Sequence, residues 1–515
     1  MIQKLGSRSE WDICIIGGGA TGLGTALDAA SRGLKTVLFE QHDFAKGTSS
    51  RSTKLVHGGV RYLQQGNIKL VMEALKERGR LLINAPHLVH NQKFIVPNYK
   101  WWEKPFYGIG LKIYDKMAGK LGLGPSQFLS KEETLQMAPT LDPEDLKGGV
   151  LYHDGQFDDA KLAIGIAQTA AQYGAVLLNY FPVTAFLKMQ KKICGVWAKD
   201  HFSGKEYEIR SKVVINATGV YTDSIMKMDD WKHSHIIRPS QGIHLVVDKE
   251  FLPGDTAIMI PRTDDGRVLF AVPWHDKVVL GTTDTPVNEI IPEPVPLQEE
   301  IEFILTHMAR YLTKDPQPAD IKSMFAGLRP LVKGKAGKTA AIARDHLITM
   351  GASGLITVTG GKWTTYRLMA EDAVDFAVKN FELDAGKCVT ENLMLYGCVE
   401  DPVDDNGVPR YYHYSVDTIL NEYNNGNQSV FEKIYASAPV IKGDLLVAVR
   451  DEMCMTIEDF LARRTRLLLL DARAAMDAAP EVARLMAEEM NRDDSWIQEQ
   501  INNFNSVAEN YLPHY

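Results

Sequence analysis

An α/β fold, α+β overall, with an all-α region at its C-terminal end is what this sequence predicts, and three observations predict it. A buried apolar strand from Asp12 to Ile16 runs straight into a glycine turn and an Ala-rich helix. The stretch from Ile237 to Thr283 mostly alternates apolar with polar residues, the pattern of antiparallel sheet. Beyond about residue 398 the alternation gives way to amphipathic helical periodicity.

Composition bounds what such a fold can do. At 515 residues the chain is long enough for more than one domain and a sizeable core. Its 45% hydrophobic and 24% charged content is that of a soluble globular protein. A net charge of −8 argues against a nucleic-acid partner, because phosphate binding needs a basic face. The five cysteines, Cys14, Cys194, Cys388, Cys398 and Cys454, are scattered without C-x-x-C spacing; this fits a reducing compartment and points to no metal. Cys14 reads as a small buried hydrophobe in the first strand. The chain enters that strand almost at once, with no signal-peptide pattern, and no apolar run approaches the roughly eighteen residues that span a bilayer. The expected location is therefore cytoplasmic, or on a membrane from the cytosolic side.

Gly17, Gly19 and Gly22 have the G-x-G-x-x-G spacing. The first glycine permits a tight turn, the second lets backbone approach a pyrophosphate, and the third lets the helix pack close to the strand. The helix then aims its N-terminal N–H groups at the phosphates. Gly33 can end this helix, and Lys35 to Phe39 reads as a second parallel strand ending at Glu40, whose carboxylate suits a ribose. The fingerprint does not separate FAD from NAD, and an ordinary βαβ unit with a glycine turn is the plainer alternative.

Thr48-Ser49-Ser50 through His57-Gly58-Gly59 to Leu63 is dense in hydroxyls and glycine, a loop rich in donors for an anion or a flavin edge, or else a solvated turn. Asn67 to Leu82 reads as a charged amphipathic helix, after which Pro86 and Pro97 mark a change of element. From Trp101 to Leu121, Lys112, Lys116 and Lys120 share one helical face and Ile109, Ile113 and Met117 another, with Trp101, Trp102, Phe106 and Tyr107 at the start. That pattern describes a helix lying on a membrane. It equally describes a helix capping the protein's own core with its lysines in water.

Asp158 to Tyr173 reads as a helix and Ala175 to Leu178 as the strand after it. The strand Lys212 to Asn216 stops at Ala217-Thr218-Gly219, small residues that let the chain come close to a cofactor, as in many flavoproteins; this turns the dinucleotide reading towards FAD. A helix follows from Gln298 to Leu312. Thr357 to Arg367 repeats the order strand, Gly360-Gly361, helix, with the helix reaching about Phe381 and a second N-terminus for the cofactor. Asp401 to Gly407 reads as a polar linker, and from Asp417 successive amphipathic helices follow, including Leu445 to Ala475 with Arg463-Arg464-Thr465-Arg466.

The glycine fingerprint, the Thr48-Ser49-Ser50 to His57-Gly58-Gly59-Val60-Arg61-Tyr62-Leu63 block, Ala217-Thr218-Gly219, Gly281-Thr282-Thr283-Asp284, Leu328-Arg329-Pro330-Leu331 and Gly360-Gly361-Lys362-Trp363-Thr364-Thr365-Tyr366-Arg367 together resemble the FAD-dependent glycerol-3-phosphate dehydrogenases of the aerobic, quinone-linked type. The resemblance covers nearly the whole chain, including the C-terminal arginines. It implies a D-amino-acid-oxidase-like fold: a bipartite Rossmann-like FAD domain with an antiparallel-sheet substrate cap, plus an all-α C-terminal domain. The FAD parts are expected at about 1–75, 155–235 and 340–385, the cap parts at about 76–154 and 236–339, together 1–398, and the helical domain at 399–515.

The resemblance also implies an activity: oxidation of sn-glycerol 3-phosphate to dihydroxyacetone phosphate by hydride transfer to FAD, with electrons passed to membrane quinone. The enzyme would sit peripherally on the inner face of the cytoplasmic membrane, and a homodimer is compatible with it. Arg61, Arg329 and Lys362 are the implied substrate-side cations, with Tyr62 and His244 beside them. Arg61 and Tyr62 are expected to grip the phosphate, and Arg329 and Lys362 to lie nearer the reacting oxygen. His244 is the candidate general base; Lys362 is the alternative, and a histidine in a strand also reads as structural. Further cofactor contacts are implied for Thr48, Ser49, Ser50, Lys54, Leu55 and His57 in the loop, for Val183, and for Gly361, Lys362, Trp363 and Thr364. Gly242-Ile243-His244 departs from the pattern, a small polar residue being expected before the histidine, which bears on its orientation. Arg344 reads as an anion contact or a surface ion pair.

Three other readings compete. An oxidase would reduce oxygen to peroxide on the same motifs. An amine or amino-acid oxidase shares the fold, but three substrate-side cations favour a phosphate. A non-catalytic flavin-binding protein would use the C-terminal helices instead.

Overall fold

The computed structural model describes residues 1–6, 8–59, 67–333, 346–398, 428–436 and 440–513. Two sheets organise them. The first runs His346–Met350, Ile356–Gly360, Glu206–Asn216, Trp11–Ile16, Thr36–Phe39, Val176–Leu178, parallel along this path except where His346–Met350 joins its edge; off the path Lys192–Lys199 pairs antiparallel with Glu206–Asn216, and Val183–Met189 with Lys192–Lys199. Trp11–Ile16 is apolar on both faces because both are covered: Ile13 and Ile15 face one core and Cys14 and Ile16 another. Helices Ala20–Ser31, Asp159–Gln172 and Tyr366–Phe381 pack over the Ile13 face. From Trp11–Ile16 the sheet extends to Thr36–Phe39 on one side and to Glu206–Asn216 on the other, so its carboxyl end is a topological switch point where a ligand crevice opens.

The second sheet is mostly antiparallel, with Ile237–Asp248 between Lys277–Gly281 and Ser323–Val332. Along Ile237–Asp248 the period of two divides the side chains: Ile243, Leu245 and Val247 enter a core with helix Gln298–Ala309, and the residues between them face the other way. Val246 on that opposite face joins Trp274, Val279 and Phe325 in a core completed by the C-terminal helices.

Those C-terminal helices are shorter than periodicity suggests. The span from Leu445 to Ala475 divides into Lys442–Asp451, a π-helical turn at Asp459–Arg464, Leu467–Leu470 and the start of Ala472–Met490. Met453 and Arg466 take positive φ at the breaks. The physical reason is burial: four successive leucines, Leu467 to Leu470, are all buried, which a one-faced amphipathic helix cannot achieve. Their turn wedges against the sheet, where Ser323 Oγ donates to the Leu468 carbonyl at 2.8 Å.

Helix Glu103–Ala118 turns Leu111, Tyr114 and Ala118 inward. Ile109, Ile113 and Phe106 stay exposed, with Trp101 83% exposed just before them. Met117 is not on this outer face: it packs against the Leu70, Val71 and Tyr114 cluster. Among the described residues no helix is long and apolar enough to cross a membrane.

Candidate active site

The glycine turn sits at the switch point between two strands. A Cβ on Gly17, which holds φ +110°, would lie 2.7 Å from the Ala217 carbonyl oxygen. A Cβ on Gly22 would collide with the Gly17 carbonyl. Backbone meets backbone at both places, so nothing soft can yield. Gly19 caps the Ala20–Ser31 helix without a side-chain bond, and the Ala20 N–H donates to Ser49 Oγ at 2.9 Å. Glu40 closes the turn from the neighbouring strand, accepting from Gly18 N at 2.6 Å and His42 N at 2.9 Å. Burial raises its pKa despite those bonds. Each oxygen keeps a second lone pair for a ribose.

This cradle opens into a cavity of about 380 Å³ bordered by Gly17, Gly19, Glu40, Thr48, Ser49 and Val183. Ala217, Thr218 and Gly219 form its floor. Past Thr48, Gly361, Lys362 and Trp363, which border both spaces, it joins a second cavity of about 360 Å³ beneath the antiparallel sheet, bordered by Leu55, His57, His244, Arg329 and Thr364. One arm is a nucleotide crevice, and the other can hold a small polar molecule. The close glycine approach and the helix N-terminus fit a dinucleotide pyrophosphate. Gly22→Ala is expected to cost about 3 kcal/mol, and the variant should purify nearly colourless, as read from its ratio of flavin to protein absorbance.

Arg329 and His244 reach the second arm from adjacent strands. The guanidinium of Arg329 lies across Gly242, where a Cβ would strike it. This explains the glycine two residues before His244: the position is kept small by the cation above it. Arg329 donates to the Thr283 carbonyl at 3.0 Å and to Thr282 Oγ1 at 3.1 Å, with Asp284 at 3.3 Å. His244 stacks on Phe325 with ring centroids 4.8 Å apart, and its Nε2 pairs with Thr53 Oγ1 at 2.9 Å. Its Nδ1 is buried and meets no hydrogen-bond partner among the described residues. Burial, then the charges of Lys54 and Arg329, hold its pKa well below the ordinary histidine value.

Several expected contacts stand differently. The Lys54 side chain borders neither cavity; it is fully buried, with Nζ donating to Asp159 Oδ2 and to the Ser50 carbonyl, each at 2.7 Å. Burial and the neighbouring Arg466 bring its pKa down to about 7. Ser50 turns the same way, its carbonyl also accepting from Arg466. Gly22 lies behind the turn, where it is a matter of packing. Arg61, Tyr62 and Arg344 fall outside the described residues. The segment leading to Arg61 is anchored where the Gly58 N–H donates to Tyr114 Oη at 2.9 Å, with Asp154 held between Tyr114 at 3.0 Å and Arg78 at 2.8 Å.

Sequence reasoning passed over Thr53, Phe325 and Asp159. A signal existed for the last: Asp158 caps the following helix through Lys161 N at 3.0 Å, so a second aspartate beside it was free for another partner.

The sequence matches the FAD dependent oxidoreductase family over residues 12–367 and the C-terminal domain of alpha-glycerophosphate oxidase over residues 409–497. It is 41% identical to the mitochondrial glycerol-3-phosphate dehydrogenase of Homo sapiens, over 97% of this chain and 73% of the relative. The fold is similar to the X-ray structure of the glycerol-3-phosphate dehydrogenase from Bacillus halodurans complexed with FAD, with a TM-score of 0.81, 31% identity and coverage of 99% of this chain and 97% of that one. It is also similar to L-alpha-glycerophosphate oxidase from Mycoplasma pneumoniae with FAD bound, with a TM-score of 0.59, 19% identity and coverage of 75% and 98%, a likeness of fold.

Proposed function

The chain belongs to the FAD-dependent oxidoreductases and, within them, to the glycerol-3-phosphate dehydrogenases, and from that membership we propose that it oxidises sn-glycerol 3-phosphate to dihydroxyacetone phosphate and hands the electrons to a membrane quinone. The observation that carries this reading is the pairing of Arg329 with His244 on one wall of an arm continuous with the nucleotide crevice. FAD, when bound, supplies the hydride acceptor.

The protein's own groups do the rest. Arg329, fixed by Thr282 and Thr283, offers positive charge where an alkoxide develops and to a phosphate-bearing substrate. Lys362 borders both arms and adds a second cation at their junction. The phosphate end falls to Arg61 and Tyr62. His244 Nδ1 takes the hydroxyl proton, while Thr53 and Phe325 hold the ring.

A pH dependence follows. The base must be neutral, and a depressed pKa keeps it neutral into more acid solution. kcat, which reports the enzyme–substrate complex and not the free substrate's phosphate, is expected to hold level through the ordinary histidine range near about 6.5 and to fall only below it; a fall of kcat centred at or above that range would count against His244.

Anaerobic addition of glycerol 3-phosphate to the holoenzyme tests the substrate. Bleaching of the flavin band by this compound, and not by glycerol or amino acids, is expected; a persisting band overturns the reading. Reoxidation by a quinone analogue faster than by oxygen supports the quinone, and the reverse makes the enzyme an oxidase.

The exposed Phe106, Ile109 and Ile113 beside Lys112, Lys116 and Lys120 support peripheral attachment to the inner face of the cytoplasmic membrane. Burying one isoleucine contributes about 1.5–3 kcal/mol. The pair Ile109→Glu and Ile113→Glu is therefore expected to weaken partitioning onto anionic vesicles more than about tenfold, with turnover on a soluble dye unchanged. Equal partitioning of variant and parent removes this helix from the membrane face.

A further inference from the structure

The loop from residue 41 to 54 has two sides. Its front borders the nucleotide crevice through His42, Ala45, Lys46, Thr48 and Ser49. Its only regular element is the short turn Thr48–Ser50. Ala45 and Lys54 hold φ near +60° without being glycine, so local preference does not keep the loop in shape. Something behind it must.

Behind it stands the C-terminal region. Asp43, wholly buried, accepts from Arg463 Nε at 2.6 Å and from both terminal nitrogens of Arg464 at 2.7 and 3.0 Å. Arg466, itself at φ +64°, donates to the Ser50 carbonyl at 2.9 Å and to Asp159 at 2.7 Å. Glu458 holds Lys46 at 2.7 Å. All three arginines are buried, and they belong to the tight turn that ends the π-helical segment Asp459–Arg464. These ties land on the loop or on the aspartate that shares its lysine, while Arg463 and Arg464 also pair with Glu458, Asp459 and Glu452 of their own region. Buried charges of this kind cannot separate without leaving a partner unpaired in the interior.

We propose that Arg463, Arg464 and Arg466 are positioning residues for the cofactor: the C-terminal helices brace the 41–54 loop from behind, and retention of FAD depends on that docking. They touch neither the cofactor crevice nor the substrate arm and act through Asp43, Ser50 and Asp159. Linkage is reciprocal, so FAD must tighten the docking by the same factor that docking tightens FAD.

Two measurements decide it. Titration of full-length apoprotein with FAD, followed by flavin fluorescence, is expected to give a Kd for Arg464→Ala about tenfold or more above the parent, inside the usual range of coupling between sites. A Kd within about twofold of the parent overturns the brace, since that is far below such coupling. If the variant does not fold, hydrogen exchange on the unaltered chain serves instead. FAD is expected to slow exchange at 459–470 as well as at 43–54. Slowing confined to 43–54 overturns the proposal, because a merely structural turn would not sense the cofactor.

Discussion

Arg329→Ala is expected to lower kcat/KM by about 10³-fold or more, while flavin content stays that of the parent. Two effects add. The substrate carries a phosphate and develops negative charge on its reacting oxygen, and Arg329 is a cation that lines the same arm as His244. Truncation also removes the bonds that tie Thr282 and Thr283 to that wall. Arg329→Lys separates the two. A lysine restores charge but not the planar fork, so if fixed orientation matters most it should recover little. Steady-state kinetics with the flavin spectrum recorded on the same sample checks both variants; near-parental activity for the alanine would withdraw the role.

Asp159→Ala is expected to be the most destabilising single change, costing about 3–5 kcal/mol. Asp159 is wholly buried and accepts from Lys54 at 2.7 Å and Arg466 at 2.7 Å, with Ser52 Oγ also at 2.7 Å. Its removal leaves two cations facing each other, both near the Trp274 ring at 5.2 and 5.4 Å. An ammonium can shed its proton in response, as the lowered pKa of Lys54 already indicates, but a guanidinium cannot. Thermal unfolding followed by circular dichroism should show a midpoint lowered by about 3–5 °C. Asp159→Asn, which keeps acceptor and shape, should fall between. A midpoint unchanged in the alanine variant would mean that water or a rearranged carboxylate replaces Asp159.

The nucleotide half was legible in the chain because its demands are local. Gly22 is required by the Gly17 carbonyl one turn away, Gly17 by its own positive φ, and Glu40 follows at the end of the next strand. The substrate arm was not legible from pattern alone. Pairing of Gly242 with Gly327 and of His244 with both Phe325 and Gly281 brings the site together, and such register across distant strands leaves no local trace; there the family resemblance supplied the residues. The arginine run shows the same limit. Periodicity cannot tell a charge facing water from one facing Asp43, 421 residues away in the chain. Lys54 shows it too: the resemblance implied a cofactor contact there, and its amine is turned back onto Asp159 and the Ser50 carbonyl.

The two-residue rhythm of Ile237–Asp248 has a consequence for how this gene can change. Ile243, Leu245 and Val247 face oil while His244 faces the site. Deleting one residue between 238 and 242 would exchange the faces, sending an imidazole into the core and an isoleucine into the cavity. Losses or gains of two residues keep the alternation. Divergence in this strand is thus restricted by parity, and length variation between descendants should collect in the turns at its ends, such as the mostly exposed residues 230–236 that lead into Ile237.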